Sequence, residues 1–176
     1  MARRDPLADP GPLIRRVYSY VAYRIGDGPE AEDVTSEAFE RALRYRSSYD
    51  SALGGPLPWL IGIARRCIDG RRSFPLATDP GQSEQAAPGN LEEATVDRLT
   101  LAAAMAALPE RDRELLALRY GADLSARQIG AVLGLKANAV DVALHRALAR
   151  IRPLLEDEER SDRGTLADRS RRASSI

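Results

Sequence analysis

Residues 108–152, LPERDRELLALRYGADLSARQIGAVLGLKANAVDVALHRALARIR, decide the fold. Pro109 opens a helix that runs to Tyr120, and Gly121 is placed to cap it. Ser125 then caps a short helix, SARQIGAVL, which Gly134 breaks before a last helix from about Ala137 to Arg152. Ile129 and Val132 point inward, Leu135 plugs the junction, and Val140, Leu144, Leu148 and Ile151 recur at helical spacing. This is the layout of a helix-turn-helix, and it puts Asn138, Asp141, Val142 and His145 on the face opposite the apolar stripe, free to enter a major groove. An ordinary pair of packed helices with a solvated polar face fits the same spacing, so geometry alone leaves both open.

Upstream, Leu91 to Leu108 is Ala-rich and helical. Before it, Pro75 to Asn90 (PLATDPGQSEQAAPGN) is rich in Pro, Gly, Ser and Gln and lacks large apolar residues after Leu76, the composition of a flexible linker. Three more helical patterns precede that linker. The first places Leu13, Val17, Tyr20, Val21 and Ile25 on one face. After the turn at Asp27-Gly28, the second opens on Pro29 and runs to about Arg46, with Val34, Ala38 and Ala42 aligned and Phe39 and Leu43 beside them. The third follows Pro58, carries Leu60, Ile63, Ala64, Cys67 and Ile68 as a stripe, and ends near Arg71-Arg72. Beyond Pro153 the chain turns charged and then Ser/Arg-rich, with too few apolar groups to fold alone. The expectation is an all-α protein of two small helical domains, 1–74 and 91–155, joined by a flexible linker at 75–90 and followed by a disordered tail at 156–176.

The composition agrees with small helical cores: 44% of residues are hydrophobic and only 5% aromatic. Formal net charge is zero, a poor match to a simple electrostatic DNA binder, yet the two helical blocks are each mildly basic and the connector between them is acidic. Cys67 is the only cysteine, so no internal disulfide can form and nothing suggests an oxidising compartment. No signal peptide or membrane-spanning run is evident, and the expected location is the cytoplasm. There is no phosphate-binding Gly loop and no nucleophile–base constellation, so the chain reads as a non-enzyme without a cofactor. His145 has no companion ligands for a metal, and Cys67 sits on an apolar stripe and reads as core.

The stretch from Leu108 to Arg152 closely resembles the C-terminal DNA-binding domain, region 4, of bacterial sigma-70 factors of the extracytoplasmic-function group (group 4). Leu108-Pro109, Arg113-Glu114, Leu118-Arg119-Tyr120, Leu133-Gly134 and Leu144-His145-Arg146-Ala147 carry the likeness. In that family the domain reads the minus-thirty-five promoter element and touches the polymerase flap. The resemblance implies DNA contacts from Ser125, Arg127, Gln128, Lys136, Asn138, Asp141, Val142, His145 and Arg146. One departure is Asp141-Val142-Ala143, where the family usually carries a basic and hydroxyl run. Carboxylates repel phosphates, although Asp can accept from a cytosine amino group. Phosphate contacts then fall to Lys136, Arg127, Arg146 and Arg150, or are fewer. Altered sequence preference and a weakened contact offset by polymerase both remain open.

The first block is similar to the same family's region 2. EAEDVTSEAFERALRYR matches its polymerase-binding helix, which implies that Asp33, Glu37, Phe39 and Arg41 meet the polymerase clamp. Asp33, Glu37 and Arg41 stand four apart on one helix face, and an ion-paired solvent face would look the same. The usual glutamine before the glutamate is Ser36 here. PWLIGIARRCIDGRRS resembles the promoter-melting helix and implies backbone and single-strand contacts from Arg65, Arg66, Arg71 and Arg72. Trp59 suits either a core anchor or a DNA contact, with core preferred. Tyr45, Tyr49 and the segment to Pro58 match the loop that captures a flipped minus-ten base. The resemblance thus implies a sigma factor whose partners are core RNA polymerase, through clamp and flap, and promoter DNA, with an anti-sigma factor as a further candidate and no membrane insertion. The alternative is a free-standing helix-turn-helix regulator that does not bind core polymerase as sigma.

Overall fold

The computed structural model describes the backbone of residues 5–73 and 91–173, and side-chain surroundings for 5–71 and 99–156. The expected linker at 75–90 and the side chain of Arg72 lie outside the described residues. Seven α-helices follow in order: α1 (Pro10–Ile25), α2 (Pro29–Arg44), α3 (Pro56–Ser73), α4 (Leu91–Ala107), α5 (Glu110–Leu116), α6 (Ala126–Leu133) and α7 (Ala137–Ala173). A 3-10 turn, Arg46–Ser48, follows α2, and a π turn, Ala117–Gly121, is fused to the end of α5. No strand occurs among the described residues, as the sequence implied.

Helices α1, α2 and α3 pack on one another. Pro29 at the start of α2, Glu30 and Glu32 in its first turn, and Arg41 and Arg44 in its last all suit the helix ends they occupy. The buried side of α2 consists of Ala31, Val34, Thr35, Ala38 and Ala42. These small residues let α1 and α3 approach closely, and the Thr35 hydroxyl is satisfied by donating to the Ala31 carbonyl at 2.7 Å. Leu43, expected beside that stripe, faces solvent. On α3 the buried stripe is wider than expected, with Leu57 and Ile61 added to Leu60, Ile63, Ala64, Cys67 and Ile68. Each fully buried Leu or Ile contributes roughly 1.5–3 kcal/mol.

Helices α4 to α7 form the second block, in which α7 packs on α4, α5 and α6. Arg113 closes the C-terminal end of α4: its guanidinium donates to the carbonyls of Met105, Ala106 and Leu108 at 2.9, 2.8 and 3.0 Å. Gly121 is not the helix cap its position suggested. The Ala122 N–H bonds the Ala117 carbonyl at 2.9 Å, one residue further back than in an α-helix, and the positive φ falls on Asp123 (51°). Gly121 serves a close approach instead: a Cβ there would stand 2.9 Å from the Cα of Tyr20 on α1.

Helix α7 continues through Pro153 to Ala173, where a disordered segment from 156 was anticipated. A helix-interior proline costs about 3 kcal/mol, but Leu154 and Leu155 pack against the core just beyond it. The Glu and Arg residues that follow are good helix formers, whereas Gly164 and the three Asp residues are not.

The two blocks touch. Helix α1 lies along the π turn and meets α4 and α5, while α3 meets α6. Buried apolar residues of both blocks belong to one continuous cluster.

Candidate nucleic-acid interface

The short helix α6 is fixed at both ends by its own residues. The Ser125 hydroxyl accepts from the Gln128 N–H at 3.3 Å and donates to the Gln128 side-chain oxygen at 3.0 Å. That same oxygen accepts from the Ser125 N–H at 2.9 Å, completing a capping box. At the other end Gly134 takes the left-handed conformation with φ 69°. Within α6, Gly130 lies so close to the entry of α7 that a Cβ would fall 2.4 Å from the Leu135 carbonyl oxygen. Only glycine lets the two helices cross at this separation.

That crossing sets the rotation of α7. Val140, Leu144, Ala147 and Ile151 are buried, with Leu148 half-buried beside them. Asn138, Asp141, Val142 and His145 are consequently exposed together on the outer face, as the spacing implied, and Arg146 is exposed beside them. Lys136 and Arg127 are exposed at the approach to that face. Arg150 is not available in the same way: its Nη1 lies 2.5 Å from Oδ2 of buried Asp112 on α5. Ser125 and Gln128 are spent on the helix cap, which removes the Gln128 amide oxygen from any bidentate contact to a base.

On α2, Asp33 is exposed and shares its face with Glu37 and Arg41. Glu37 is ion-paired twice, to Arg41 at 2.6 Å one turn along and to Arg71 of α3 at 3.3 Å. Phe39 is half-buried and packs into the core instead of standing on that face.

Trp59 is half-buried against the core, and its ring meets that of Tyr49 with centroids 5.4 Å apart and planes tilted by 58°. Tyr49 is positioned by donating its hydroxyl to the Gly54 carbonyl at 3.0 Å, and Asp50 orders the intervening loop by accepting from the Ala52 N–H at 2.9 Å. Tyr45 stands outside this pair and is exposed. A cleft of about 290 Å³ is lined by Tyr49, Trp59 and Arg66 on one side and by Ala131 and Val132 of α6 on the other. Arg66 is exposed, whereas Arg65 turns toward Glu114 of α5 with Nε 3.7 Å from the carboxylate.

Sequence reasoning missed Glu114 as a site of interest, along with Gly130 and Arg16. Glu114 is buried and accepts from the Tyr20 hydroxyl at 2.8 Å, with Arg24 Nε 2.6 Å from its other oxygen. Burial first, then the negative charge of Glu114, holds the Tyr20 hydroxyl far above the usual phenol range, so it remains a donor. Five of the seven residues of α5 (ERDRELL) are charged, so nothing in the sequence singled Glu114 out.

Comparison with known proteins bears on both blocks. Residues 12–73 match the family model of sigma-70 region 2, and residues 98–151 match that of sigma-70 region 4. The ECF RNA polymerase sigma factor SigL of Mycobacterium tuberculosis is 31% identical over 148 residues, covering 80% of this chain and 83% of SigL. The ECF RNA polymerase sigma factor BldN of Streptomyces coelicolor is 32% identical over 152 residues, which is 82% of this chain; the aligned part spans 58% of BldN. Among solved structures, the fold is shared with the sigma factor RpoE from Bartonella quintana, solved with the anti-sigma factor NepR. That pair has TM-score 0.60, 18% identity, and coverage of 82% of this chain and 92% of RpoE. It is shared also with CnrH, solved with the cytosolic domain of CnrY, at TM-score 0.59 and 22% identity, covering 86% and 85% of the two chains.

Proposed function

The chain belongs to the sigma-70 family, in its extracytoplasmic-function group, and from that premise we propose that it is an alternative sigma factor that binds core RNA polymerase and directs promoter-specific initiation. The observation that carries this reading is the exposed face of α7 above a buried stripe, set behind a region 2 block in the family's order. Residues 1–74 are the polymerase-binding and minus-ten unit, and 91–155 the minus-thirty-five unit. Asp33 and Glu37, with Arg41 alongside, offer the clamp an exposed charged face. Phe39 supports that face from beneath. Asn138, Asp141, Val142 and His145 are the base-reading candidates, while Lys136, Arg127 and Arg146 supply phosphate contacts.

Arg66, Arg71 and Arg72 suit the melted strand, and Tyr49 braced on Trp59 suits an unstacked base. Strand separation is driven by binding energy to polymerase and DNA; the chain itself catalyses no reaction. It acts in the cytoplasm, and no described helix is long and apolar enough to cross a membrane. An anti-sigma protein is a candidate partner, since RpoE and CnrH were each solved with a bound partner chain. A free-standing helix-turn-helix regulator would have no use for the region 2 match, and that reading is set aside.

The test is capture of core RNA polymerase by the full chain, followed by run-off transcription from a promoter library. Absence of a stable complex with core would overturn the proposal.

A further inference from the structure

We propose that the exposed face of α7 selects adenine and thymine and refuses guanine at the base edges it meets, so that the minus-thirty-five element of this chain is built on an adenine and a thymine; the inference rests on the sigma-factor reading above. Asn138, Val142 and His145 form one line on α7, within about 60° of one another around the axis. The buried stripe of Val140, Leu144, Ala147 and Ile151 lies opposite. From Asn138 to His145 the line is about 10 Å long, roughly three base steps of about 3.4 Å. The side chains of Asn138, Asp141 and His145 make no hydrogen bond or ion pair with other described residues, so their polar atoms are available to DNA.

Each residue type on this line matches a different edge in the major groove. The Asn138 amide offers a donor and an acceptor side by side, the complement of adenine N7 and N6. Guanine presents two acceptors there, N7 and O6, and its direct readers are Arg and Lys. Neither type stands on the line. Val142 is 52% exposed, and its branched Cβ holds one strongly preferred rotamer in a helix, so its methyl groups project at a fixed place. Over thymine they meet the C5 methyl. Over either purine they would cover a polar edge without satisfying it, and cytosine lacks the methyl. The His145 imidazole donates to N7, which both purines carry, so it favours neither.

Charges on the two edges of the line set how α7 lies in the groove. Asp141 stands about 60° to one side of Asn138, and Arg146 about 80° to the other. Arg150 lies on the Arg146 edge but is tied to Asp112. Between two phosphate strands, the helix is drawn to the strand on its Arg146 edge, which moves Asp141 off the other strand and over the bases. A carboxylate only accepts hydrogen bonds, and so does the guanine edge. Asp141 therefore repels any guanine it faces and tolerates adenine or cytosine, which carry amino donors. The face excludes one base as well as choosing two others.

Holoenzyme reconstituted from core polymerase and the full chain, transcribing a promoter library randomised over the minus-thirty-five element, tests this. Active promoters should carry an adenine and a thymine about two base pairs apart, with guanine depleted beside them on the strand read. Asn138→Ala should cut the adenine preference about five- to 150-fold, and Asp141→Asn, which adds an amide donor, should readmit guanine. Deoxyuridine in place of that thymine removes one methyl and should cost the wild type about fourfold but leave Val142→Ala unchanged. The substituted side chains are all exposed, and circular dichroism checks that the variants fold. A guanine-rich consensus, or base preferences untouched by Asn138→Ala and Val142→Ala, overturns this readout while the sigma reading stands. If core is not captured, the sigma reading falls, and selection of the same duplexes by the full chain alone at low salt decides the readout by the same criteria.

Discussion

Arg71 of α3 reaches across to Glu37 of α2, with Nη2 3.3 Å from the carboxylate, so a candidate DNA contact and a candidate polymerase contact are bonded to each other. Arg41 holds the same carboxylate from the other side at 2.6 Å. The face thus satisfies both descriptions the sequence permitted, being ion-paired and exposed. A partner cation that binds Glu37 shares its carboxylate with Arg41 and Arg71 or competes with them for it.

Reversing Asp33 and Glu37 to Lys together should abolish capture of core polymerase and leave helicity unchanged, because neither is buried in the core. Losing the Arg41 and Arg71 ion pairs of Glu37 costs about 0–1 kcal/mol each at this exposure, too little to unfold the helix. Unaltered affinity for core enzyme would remove this face from the interface.

Asp141 separates two outcomes. If it accepts from a cytosine amino group, Asp141→Ala should lose on the order of 1–3 kcal/mol of discrimination at one promoter position. If it only repels phosphate, transcription should rise on all promoters alike, most visibly at low salt. A promoter library transcribed by wild type and variant distinguishes the two, and a uniform gain would rule out direct readout.

Gly130→Ala should be far more damaging than an alanine in a helix normally is. The added Cβ meets the Leu135 carbonyl at 2.4 Å, and backbone must move to admit it. Overpacking of this sort costs about 1–3 kcal/mol, against a propensity gain of about 1 kcal/mol from replacing glycine. The denaturant midpoint should fall and minus-thirty-five recognition should weaken. A raised midpoint would show that the helix crossing is wider than described.

Cys67 should resist alkylation in the native chain. It is 1% exposed, and burial first, then the nearby Glu37 carboxylate, push its thiol pKa up. The thiolate is the reactive species, so both access and ionisation oppose labelling. Maleimide should react slowly with native protein and quickly in urea. Rapid native labelling would contradict the packing of α3 on α2.

The helix-turn-helix was legible because its determinants are local. Ser125 lies three residues from its capping partner, and the burial of Val140, Leu144 and Ile151 follows from a period. Gly121 and Glu114 were not legible for the opposite reason. Their partner Tyr20 lies about a hundred residues away in sequence, and a glycine needed for contact with a remote helix looks the same as one ending its own. Arg150, a phosphate candidate from its position, is held by Asp112, because nothing in the spacing says which exposed arginines already have a buried acid. Apolar content measures only whether the tail could fold by itself, and a segment continuous with α7 does not have to. Leu154 and Leu155 let it grow from a helix already nucleated by the core.

The cap at Ser125 has a bearing on how promoter preference can change. With the Gln128 amide oxygen spent within its own turn, that side chain has no complete hydrogen-bonding edge to offer adenine. Under the proposed reading, the vocabulary of region 4 is written on a single helix, in four neighbouring letters between Asn138 and His145. Rewriting those letters alone should transplant one promoter dialect for another, with the scaffold that presents them left untouched.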